Sequence, residues 1–565
     1  MIRPADTATA DATPPGTLPV GDTIAAWLAA IGVEVAFGVI SIHNMPILDA
    51  IARRGRIRFV AARGEAGAFN MADAYARISG RLGVVFTSTG TAAGNAAGAQ
   101  VEALTAGTAV LHITSQVDRA FMDRDRAAIH DVPRQADMLK AISKSYLRIW
   151  EPRGALGTLE AAVRAATTAP CGPVTVEIPV DVQRETTRWP ADIRPPRVQP
   201  PVPDDALLDR AAALIAAAKR PVLWLGGGAR GASDAATALV ERGVATVSST
   251  QGRAIVPEDH RFSLGAFNMT PQARAIYRDA DLMLVVGSRL RGNETANNQM
   301  ALPQPLLQID ADPTQAGRNY ATDLFIAGDA RLALEGLLAR LPERLGTDAA
   351  FLAAVTAARR EAETALRATL GPYAAVADAM NQHVARGGHP FVRDVTISNS
   401  TFGNRYVRLA KPRLGVHALG GGIGQGIAMA VGAALAGAGA KTVALIGDGG
   451  SMLALGELMT AVEQQADIVF VLMNDRGYGV IRNIQDAQYG GRQHYSNLAT
   501  PDFAALAAGF RLPHRRVDTA DGFAAAFADA LATPGPILLE VDMTSIGPFA
   551  RAFAGPPAGA AGGPS

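Results

Sequence analysis

The chain has 565 residues, 48% of them hydrophobic, and its 53 basic and 52 acidic side chains leave a formal net charge of +1. At about 150 residues per domain, this length predicts three or four domains. The balanced charge excludes a nucleic-acid-binding surface, and the single cysteine, Cys171, excludes a disulfide within the chain and cysteine-based metal centres. We therefore expect a cytoplasmic, multidomain protein.

The sequence predicts no targeting segment and no membrane segment. The first 20 residues contain Pro, Asp and Thr instead of an apolar run, which predicts a flexible leader. Residues 420–440 are uncharged over 21 positions, but they are mostly Gly and Ala, so we predict a closely packed helix. The Gly/Ala/Pro-rich tail, residues 555–565, is predicted to be disordered.

The first block, residues 18–186, alternates helical and apolar strand patterns. Helices are predicted at 23–31 and 47–53, and strands at 33–37, 82–87 and 174–179. Apolar strands between helices are typical of a parallel sheet covered on both faces. Six prolines in residues 189–205 predict a linker after this block.

Two further blocks repeat this alternation. Residues 206–340 contain predicted strands at 222–225, 244–248, 282–286 and 306–309. A charged helix at 349–370 leads to residues 371–550, with predicted strands at 442–446, 468–473 and 537–541. We therefore predict an α/β fold of three doubly wound parallel-sheet domains.

One glycine-rich segment of the central block fits a dinucleotide-binding pattern. Residues 226–231 read G-x-G-x-x-G after a predicted strand, but the next strand ends in serines where a dinucleotide site needs an acid. We interpret this block as a Rossmann-like structural domain.

The strongest motif lies in the third block. An apolar strand leads into Gly447-Asp448-Gly449-Gly450, a helical pattern follows at 452–464, and the next apolar strand ends at Asn474. Asp448 and Asn474 then stand at the carboxyl ends of two parallel strands, where ligands bind in such sheets. Their oxygens suit Mg²⁺, and the glycines let the backbone approach a diphosphate. The alternative is two ordinary turns.

This motif resembles the thiamine-diphosphate motif, and residues 18–550 resemble the acetolactate synthase/benzoylformate decarboxylase superfamily in its order of pyrimidine-binding, central and diphosphate-binding domains. The resemblance implies thiamine diphosphate and Mg²⁺ as cofactors, with Asp448, Asn474 and the backbone carbonyl of Arg476 as metal ligands. It implies that Ile423, 25 residues before Asp448, supports the cofactor's V shape. Further implied cofactor contacts are Gly447, Gly449, Gly450, Ser451, Tyr478 and Gly479.

The segment Arg63-Gly64-Glu65 resembles the family's Arg-His-Glu segment. The resemblance implies that Glu65 is catalytic and bonds the pyrimidine ring nitrogen. A carboxyl group in an apolar pocket has a raised pKa and can share a proton with that nitrogen. The alternative is an ordinary acidic residue in a first helical turn. Gly64 stands where relatives often have His, so this chain has no side chain at that position.

Small residues at 88–95 resemble the family's turn beside the aminopyrimidine, which implies a cofactor contact for Asn95. Ser88 stands where benzoylformate decarboxylases carry a catalytic histidine. Gln116 matches the family's Gly-Gln after a strand, and we predict that it lines the substrate site.

Residues 37–43 take the place of the synthases' Phe-Gly-x-Pro-Gly-Gly and end in His43. We predict that His43 faces the substrate and takes part in catalysis; a loop histidine bonded to the backbone is the alternative. His130 could reach the same pocket.

Val480 and Ile484 stand where acetohydroxyacid synthases have Met and Trp, and we predict that both contact the substrate. The family's flavin-contacting segment is replaced by residues 288–292, which makes FAD doubtful.

The sequence thus predicts a thiamine-diphosphate- and Mg²⁺-dependent, acetolactate synthase-like enzyme that cleaves or forms carbon–carbon bonds of a small 2-oxo acid. A benzoylformate-type decarboxylase or an acyloin lyase is one alternative, and a non-catalytic cofactor-binding regulatory protein is another. The resemblance implies a homodimer or a dimer of dimers, in which Glu65 of one chain meets Asp448 of its partner.

Overall fold

The computed structural model of the protein describes residues 16–190 and 192–555. Residues 1–15 of the predicted leader and 556–565 of the predicted tail lie outside this part of the chain. The prediction of a flexible leader is wrong for residues 17–20. Thr17–Pro19 forms a strand that pairs with Thr186–Arg188, and the first helix begins at Val20.

The first domain contains a six-stranded parallel sheet in the order β3-β2-β4-β5-β7-β6 and a two-stranded antiparallel sheet of β1 and β8. The strands are β1 (Thr17–Pro19), β2 (Val35–Gly38), β3 (Arg58–Ala61), β4 (Gly83–Thr87), β5 (Val110–Gln116), β6 (Ser145–Arg148), β7 (Val174–Pro179) and β8 (Thr186–Arg188). The helices are α1 (Val20–Ala30), α2 (Met45–Arg54), α3 (Glu65–Ser79), α4 (Thr91–Ala106), α5 (Gln135–Ile142), α6 (Ala155–Thr167) and α7 (Val180–Arg184).

The central domain has a five-stranded parallel sheet in the order β10-β9-β11-β12-β13. Its strands are β9 (Pro221–Leu225), β10 (Ala245–Ser248), β11 (Leu282–Val286), β12 (Leu306–Asp310) and β13 (Leu324–Ala327), and its helices are α8 (Asp205–Ala217), α9 (Ser233–Glu241), α10 (Pro271–Asp279) and α11 (Ala330–Arg340). The linking helix α12 (Ala349–Ala368) buries Phe351 and Val355 in this domain's core.

Close packing accounts for the glycines after β9. A Cβ atom on Gly226 would lie 2.1 Å from the carbonyl oxygen of Gly287, and one on Gly228 would lie 2.9 Å from the Cα of Gly287. The turns after β9 and β11 therefore touch through their backbones. This contact supports the structural interpretation of the G-x-G-x-x-G segment.

The third domain has a six-stranded parallel sheet in the order β15-β14-β16-β17-β19-β18. Its strands are β14 (Phe391–Arg393), β15 (Gly415–His417), β16 (Thr442–Gly447), β17 (Ile468–Asn474), β18 (His514–Val517) and β19 (Ile537–Asp542). Its helices are α13 (Tyr373–Gly387), α14 (Gly426–Leu435), α15 (Asp448–Ser451), α16 (Gly456–Glu463), α17 (Gly479–Gln488), α18 (Phe503–Gly509), α19 (Phe523–Ala532) and α20 (Met543–Ile546).

The six-stranded sheets of the first and third domains have the same topology. When the six strands of each sheet are counted along the chain, both sheets run second, first, third, fourth, sixth, fifth. The three parallel sheets confirm the predicted fold class. The shared strand order of the first and third domains is a structural repeat that the sequence pattern did not indicate.

Helices α3 and α14 hold the first and third domains together within one chain. A Cβ atom on Gly432 would lie 2.0 Å from the carbonyl oxygen of Met71, so these helices touch backbone to backbone. The small residues predicted as a packed helix serve this contact. Helix α14 is shorter than predicted because Gly421 and Gly424 adopt left-handed φ angles of +80° in a loop before it. No helix of the described residues is long and apolar enough to cross a membrane.

The helix predicted at residues 452–464 also differs from the structure. The chain forms the short helix α15 directly after β16, turns through residues 452–455, and begins α16 at Gly456. This break matters because it brings Gly456 within contact of Arg63 in the first domain, where a Cβ atom would lie 3.1 Å from the Arg63 side chain.

Candidate active site

Asp448 and Asn474 meet at the carboxyl edge of the third sheet. Strands β16 and β17 are neighbours with Gly447 opposite Met473, so the residues that follow, Asp448 and Asn474, lie side by side. Asp448 is 1% exposed and Asn474 is 7% exposed. The Asp448 carboxylate accepts hydrogen bonds from the backbone N–H of Gly477 at 2.8 Å and of Asp475 at 3.3 Å. The first part of the predicted metal loop is therefore formed by one chain alone.

Two acidic side chains share this buried edge. Burial, and next the negative charge of Asp475, raise the pKa of Asp448 to about 7. Burial also raises the pKa of Asp475, although its ion pair with Arg482 at 2.7 Å opposes that rise. A divalent cation beside Asp448 would offset the repulsion between the two carboxylates, so the charge of this edge fits a metal ion.

The orientation of Asn474 also fits a metal ligand. Its amide nitrogen donates to the Glu540 carboxylate at 2.8 Å, which directs the amide oxygen toward the loop, where it accepts from the N–H of Arg476 at 3.3 Å. Glu540 in turn contacts the His514 ring at 2.9 Å. Such outer partners fix the direction of metal-binding side chains. Sequence reasoning did not single out Glu540 or Asp475.

The loop after Asn474 is compact. Arg476 has a left-handed φ of +58°, and its carbonyl accepts from the N–H of Leu498 at 3.2 Å. Among the described residues, no group of three or more His, Cys, Asp or Glu side chains is placed to hold a metal. The donor set of carboxylate, amide and carbonyl oxygens is the kind that Mg²⁺ uses when phosphate oxygens and water complete its coordination.

The glycines of the loop are required by close contacts. A Cβ atom on Gly449 would lie 2.8 Å from the Tyr478 ring, and one on Gly479 would lie 1.8 Å from the Asp475 carboxylate. The Ser451 hydroxyl donates to the carbonyl of Gly447 at 2.7 Å and closes the short helix α15. The loop therefore has no room for a side chain at Gly449, which is itself buried, or at Gly479.

Ile423 lies in a loop that touches the Gly450 turn. A Cβ atom on Gly424 would lie 2.8 Å from the Gly450 carbonyl oxygen, and the Asp394 carboxylate accepts from the N–H groups of Gly424 at 3.1 Å and Gly426 at 3.2 Å. Burial raises the pKa of Asp394 to about 6. Ile423 itself is 38% exposed, so part of its side chain is open to solvent next to the predicted diphosphate site.

Glu65 begins helix α3 on an open face of the first domain. Its carboxylate accepts from the side-chain amide of Asn95 at 3.2 Å, so the structure brings these two predicted cofactor contacts together. The N–H groups of Arg63 and Gly64 donate to Glu457 of the third domain, each at 3.1 Å. Glu457 thereby fixes the start of α3. Nothing in the sequence pattern distinguishes Glu457 from other helix-start acids.

His43 is 6% exposed and lies beside His130, with ring centres 5.2 Å apart. The Nδ1 atoms of both rings have no hydrogen-bond partner within the described ranges. Burial, and next the neighbouring His130, lower the pKa of His43 and so favour its neutral ring. Ser41 of the same loop donates to Ser88 at 2.6 Å and joins the ends of β2 and β4.

The predicted substrate contacts differ in their surroundings. Gln116 is buried, accepts from Thr89 at 2.9 Å and donates to Glu177 at 3.2 Å, so its side chain is satisfied inside the first domain. Val480 and Ile484 are half-buried on α17, directly after the metal loop. The role of all three as substrate contacts stays a prediction.

Large apolar side chains are exposed around both halves of the site. In the first domain they are Ile40, Ile42 and Met45, near His43; in the third domain they are Ile423, Met452 and Leu453, near the metal loop. Within the described residues, no hydrogen bond or ion pair connects Glu65 to Asp448 or Asn474.

The third domain thus places a buried carboxylate and amide beside a glycine-rich turn, and it is joined to a first domain of the same topology in which Glu65 is half-buried. Three family models match the chain in this order: the N-terminal TPP binding domain of thiamine pyrophosphate enzymes at residues 18–138, their central domain at 208–337, and their C-terminal TPP binding domain at 396–541. The chain belongs to the thiamine pyrophosphate enzyme family.

Similar proteins include decarboxylases and synthases. A probable 2-ketoarginine decarboxylase of Pseudomonas aeruginosa is 32% identical over 479 residues, 83% of this chain and 84% of that protein. A probable chloroplastic acetolactate synthase of Oryza sativa is 28% identical over 94% of this chain and 83% of its own length. A probable acetolactate synthase large subunit of Methanocaldococcus jannaschii is 28% identical over 91% of this chain and 90% of its own length.

Proposed function

We propose that the protein is a thiamine-diphosphate- and Mg²⁺-dependent enzyme that acts on a small 2-oxo acid and forms an acetolactate-type product. The buried pair of Asp448 and Asn474 carries this proposal, because one carboxylate and one amide oxygen beside a glycine-lined backbone suit a metal-bound diphosphate. The similarity to acetolactate synthases supports carbon–carbon bond formation.

Each side chain of the site then has a distinct task. Asp448, Asn474 and the carbonyl of Arg476 would hold Mg²⁺, and Ile423 would orient the cofactor from below. Thiamine diphosphate, when bound, supplies a carbon nucleophile and an electron sink next to the substrate carbonyl. Glu65 would hold a proton at the pyrimidine ring nitrogen.

His43 would act at the substrate end of the site. A neutral ring with an Nδ1 atom that lacks a hydrogen-bond partner among the described residues suits proton exchange with a substrate oxygen. The ring centre of His130 lies 5.2 Å from that of His43. The Ser41–Ser88 hydrogen bond positions the loop that carries His43.

We further propose that the active unit is a homodimer, alone or within a dimer of dimers. Asn95 and Ile423 are exposed, Glu65 is half-buried, and exposed apolar side chains lie near both halves of the site. Contiguous exposed apolar patches are typical of association surfaces. In a twofold arrangement, Glu65 of one chain would meet Asp448 of its partner, and both apolar surfaces would be covered.

A second candidate is a decarboxylase for a 2-oxo acid with a hydrogen-bond-donating tail. One carboxylate oxygen each of Asp118 and Asp131 is buried without a partner in the described part of the chain, and Asp118 interacts electrostatically with His43. Carboxylate oxygens only accept hydrogen bonds, so they suit a donor such as the guanidinium group of 2-ketoarginine. The similarity to a probable 2-ketoarginine decarboxylase supports this candidate.

The experiment is a substrate comparison with separated products. Pyruvate, 2-oxobutyrate, benzoylformate, glyoxylate and 2-ketoarginine are each supplied with Mg²⁺ and thiamine diphosphate, and CO₂, aldehydes and condensation products are quantified. Acetolactate-type products support the first proposal, and aldehyde alone supports a decarboxylase. Absence of turnover together with no measurable thiamine diphosphate binding would contradict both the synthase and the decarboxylase proposals.

A further inference from the structure

A buried group of charged side chains in the first domain reaches the loop that carries Ile423. Asp73 and Arg77 lie on α3, Glu102 lies on α4, and all three are buried. The Arg77 guanidinium donates to Asp73 at 2.6 Å and to Glu102 at 2.8 Å. Two carboxylates thus surround one guanidinium in the protein interior.

The same group binds the backbone of the third domain. Glu102 accepts from the N–H groups of Leu419 at 2.7 Å and Gly420 at 2.6 Å, while Arg77 donates to the carbonyl of His417 at 2.8 Å. A Cβ atom on Gly420 would lie 2.9 Å from the Glu102 carboxylate, so glycine permits this approach. The first domain therefore fixes the beginning of the Ile423 loop.

Asp394 fixes the other end of this loop. It accepts from the N–H groups of Gly424 and Gly426, so Ile423 stands between two carboxylate anchors on different domains. Between the anchors, Gly421 and Gly424 take left-handed φ angles. A loop with this glycine content has little rigidity of its own, so its position depends on the hydrogen bonds that its backbone makes.

From these contacts we infer that Glu102 is a positioning residue, which sets the location of Ile423 beneath the cofactor. The inference rests on the proposed function. A carboxylate is needed because Glu102 accepts from three donors: Arg77, Leu419 and Gly420. A glutamine has only one accepting oxygen, and its NH₂ group would face one of these donors.

The test compares Glu102→Gln with Glu258→Gln. Glu258 is a matched control because it is also buried, pairs with an arginine, Arg253, at 2.7 Å, and accepts from a third-domain N–H, that of Leu409, at 2.9 Å. It does not contact the Ile423 loop. An effect that comes from the loss of any interdomain contact should therefore appear in both variants. An effect that comes from loop positioning should appear only in Glu102→Gln.

Three quantities are measured. Without cofactor, amide hydrogen exchange of the peptide covering residues 417–426 reports on the loop. With Mg²⁺, calorimetry gives the thiamine diphosphate affinity, and proton exchange at the C2 carbon of the bound cofactor reports on its orientation. In Glu102→Gln we expect amide exchange to rise and C2 exchange to fall by roughly tenfold or more, with affinity changed less than about threefold.

Glu258→Gln should leave amide exchange of the loop and C2 exchange as in the unaltered protein. Unchanged amide exchange or unchanged C2 exchange in Glu102→Gln would overturn the inference. If Glu102→Gln fails to fold, Glu102→Asp is used instead, because it keeps the charge but has a shorter side chain. Loop amide exchange in Glu102→Asp equal to that of the unaltered protein would also overturn the inference. Failure of the unaltered protein to bind thiamine diphosphate would instead contradict the proposed function, while the amide exchange still tests the contact.

Discussion

The two ends of the proposed cofactor site differ in how far one chain completes them. At the diphosphate end, Asp448 is almost fully buried and accepts two backbone hydrogen bonds, and the loop after Asn474 is compact. At the pyrimidine end, Glu65 is half-buried with one 3.2 Å hydrogen bond to the exposed Asn95. The two domains share one strand order, so the fold itself does not cause this difference.

We therefore expect the two ends to depend differently on a partner chain. A diphosphate can bind to a loop that is already formed, because the backbone is fixed before the ligand arrives. Glu65 has one hydrogen bond to an exposed side chain of its own chain, so it would be covered only when another surface meets it.

Removal of the metal ligand should abolish cofactor binding. We expect Asp448→Ala to weaken thiamine diphosphate binding by more than about 100-fold in the presence of Mg²⁺, because metal and diphosphate charges lose their protein anchor. Isothermal titration measures the affinity. Asp521→Ala, an exposed change in the same domain, is the control and should bind normally. Normal binding by Asp448→Ala would remove the metal assignment.

Glu65→Gln should leave cofactor binding intact but slow the activation of the cofactor. Cofactor affinity stays near that of the unaltered protein, because Asp448 and Asn474 are intact. Proton exchange at the cofactor C2 carbon should fall by about 10²–10⁴-fold, the usual contribution of a general acid–base group. Nuclear magnetic resonance after acid quench measures this exchange. An unchanged exchange rate would show that Glu65 does not take part in activating the cofactor.

Mixing altered chains tests whether the two ends come from different protomers. Chains carrying Glu65→Gln and chains carrying Asp448→Ala are combined after mild dissociation. Random pairing makes half of the dimers mixed, each with one intact site if the site is shared, so about a quarter of full activity should return. No activity despite proven mixed dimers would contradict a shared, independently acting site.

The control mixes the unaltered chain with a chain carrying both changes. A shared site leaves no intact site in the mixed dimers, so about one quarter of full activity is expected. If both groups act within one chain, each mixed dimer keeps one intact site, and about half is expected. The two arrangements are thus distinguished by residual activity in an equal mixture.

The diphosphate end could be predicted from the sequence because its signal is local. Asp448 and Asn474 each directly follow or end an apolar strand, and the carboxyl ends of parallel strands share one edge. The structure places both residues at that edge. Glu65 had a weaker signal, since any helix can begin with an acid, and its assignment depended on the family resemblance.

The interdomain anchors could not be predicted in this way. Glu102 contacts Leu419 and Glu457 contacts Gly64, and residues so far apart in the chain meet only after two domains dock. Each anchor is a single acid in an otherwise ordinary helix. No periodicity or spacing marks such a residue, because its partner in the other domain is backbone and leaves no side-chain pattern.

The smallest expected effect is the contribution of Asp448 to the pH dependence of stability. The pKa of Asp448 rises from 3.8 to about 7, because the carboxyl is buried and faces Asp475. Between these values the folded state holds a proton that the unfolded state releases, so the stabilisation present at low pH is lost as pH rises through about 7. Asp475 strengthens the effect, since its pKa is also raised.

We therefore expect the melting temperature of the metal-free protein, measured with a chelator, to fall as pH rises from about 5 to about 8. Asp448→Asn should flatten this slope and raise the melting temperature at the upper end by about 2 °C or more, while Asp521→Asn, at an exposed position, should keep the slope. Equal slopes in the unaltered protein and Asp448→Asn would mean that the two carboxylates do not repel each other, and the charge argument for a cation at this edge would fail.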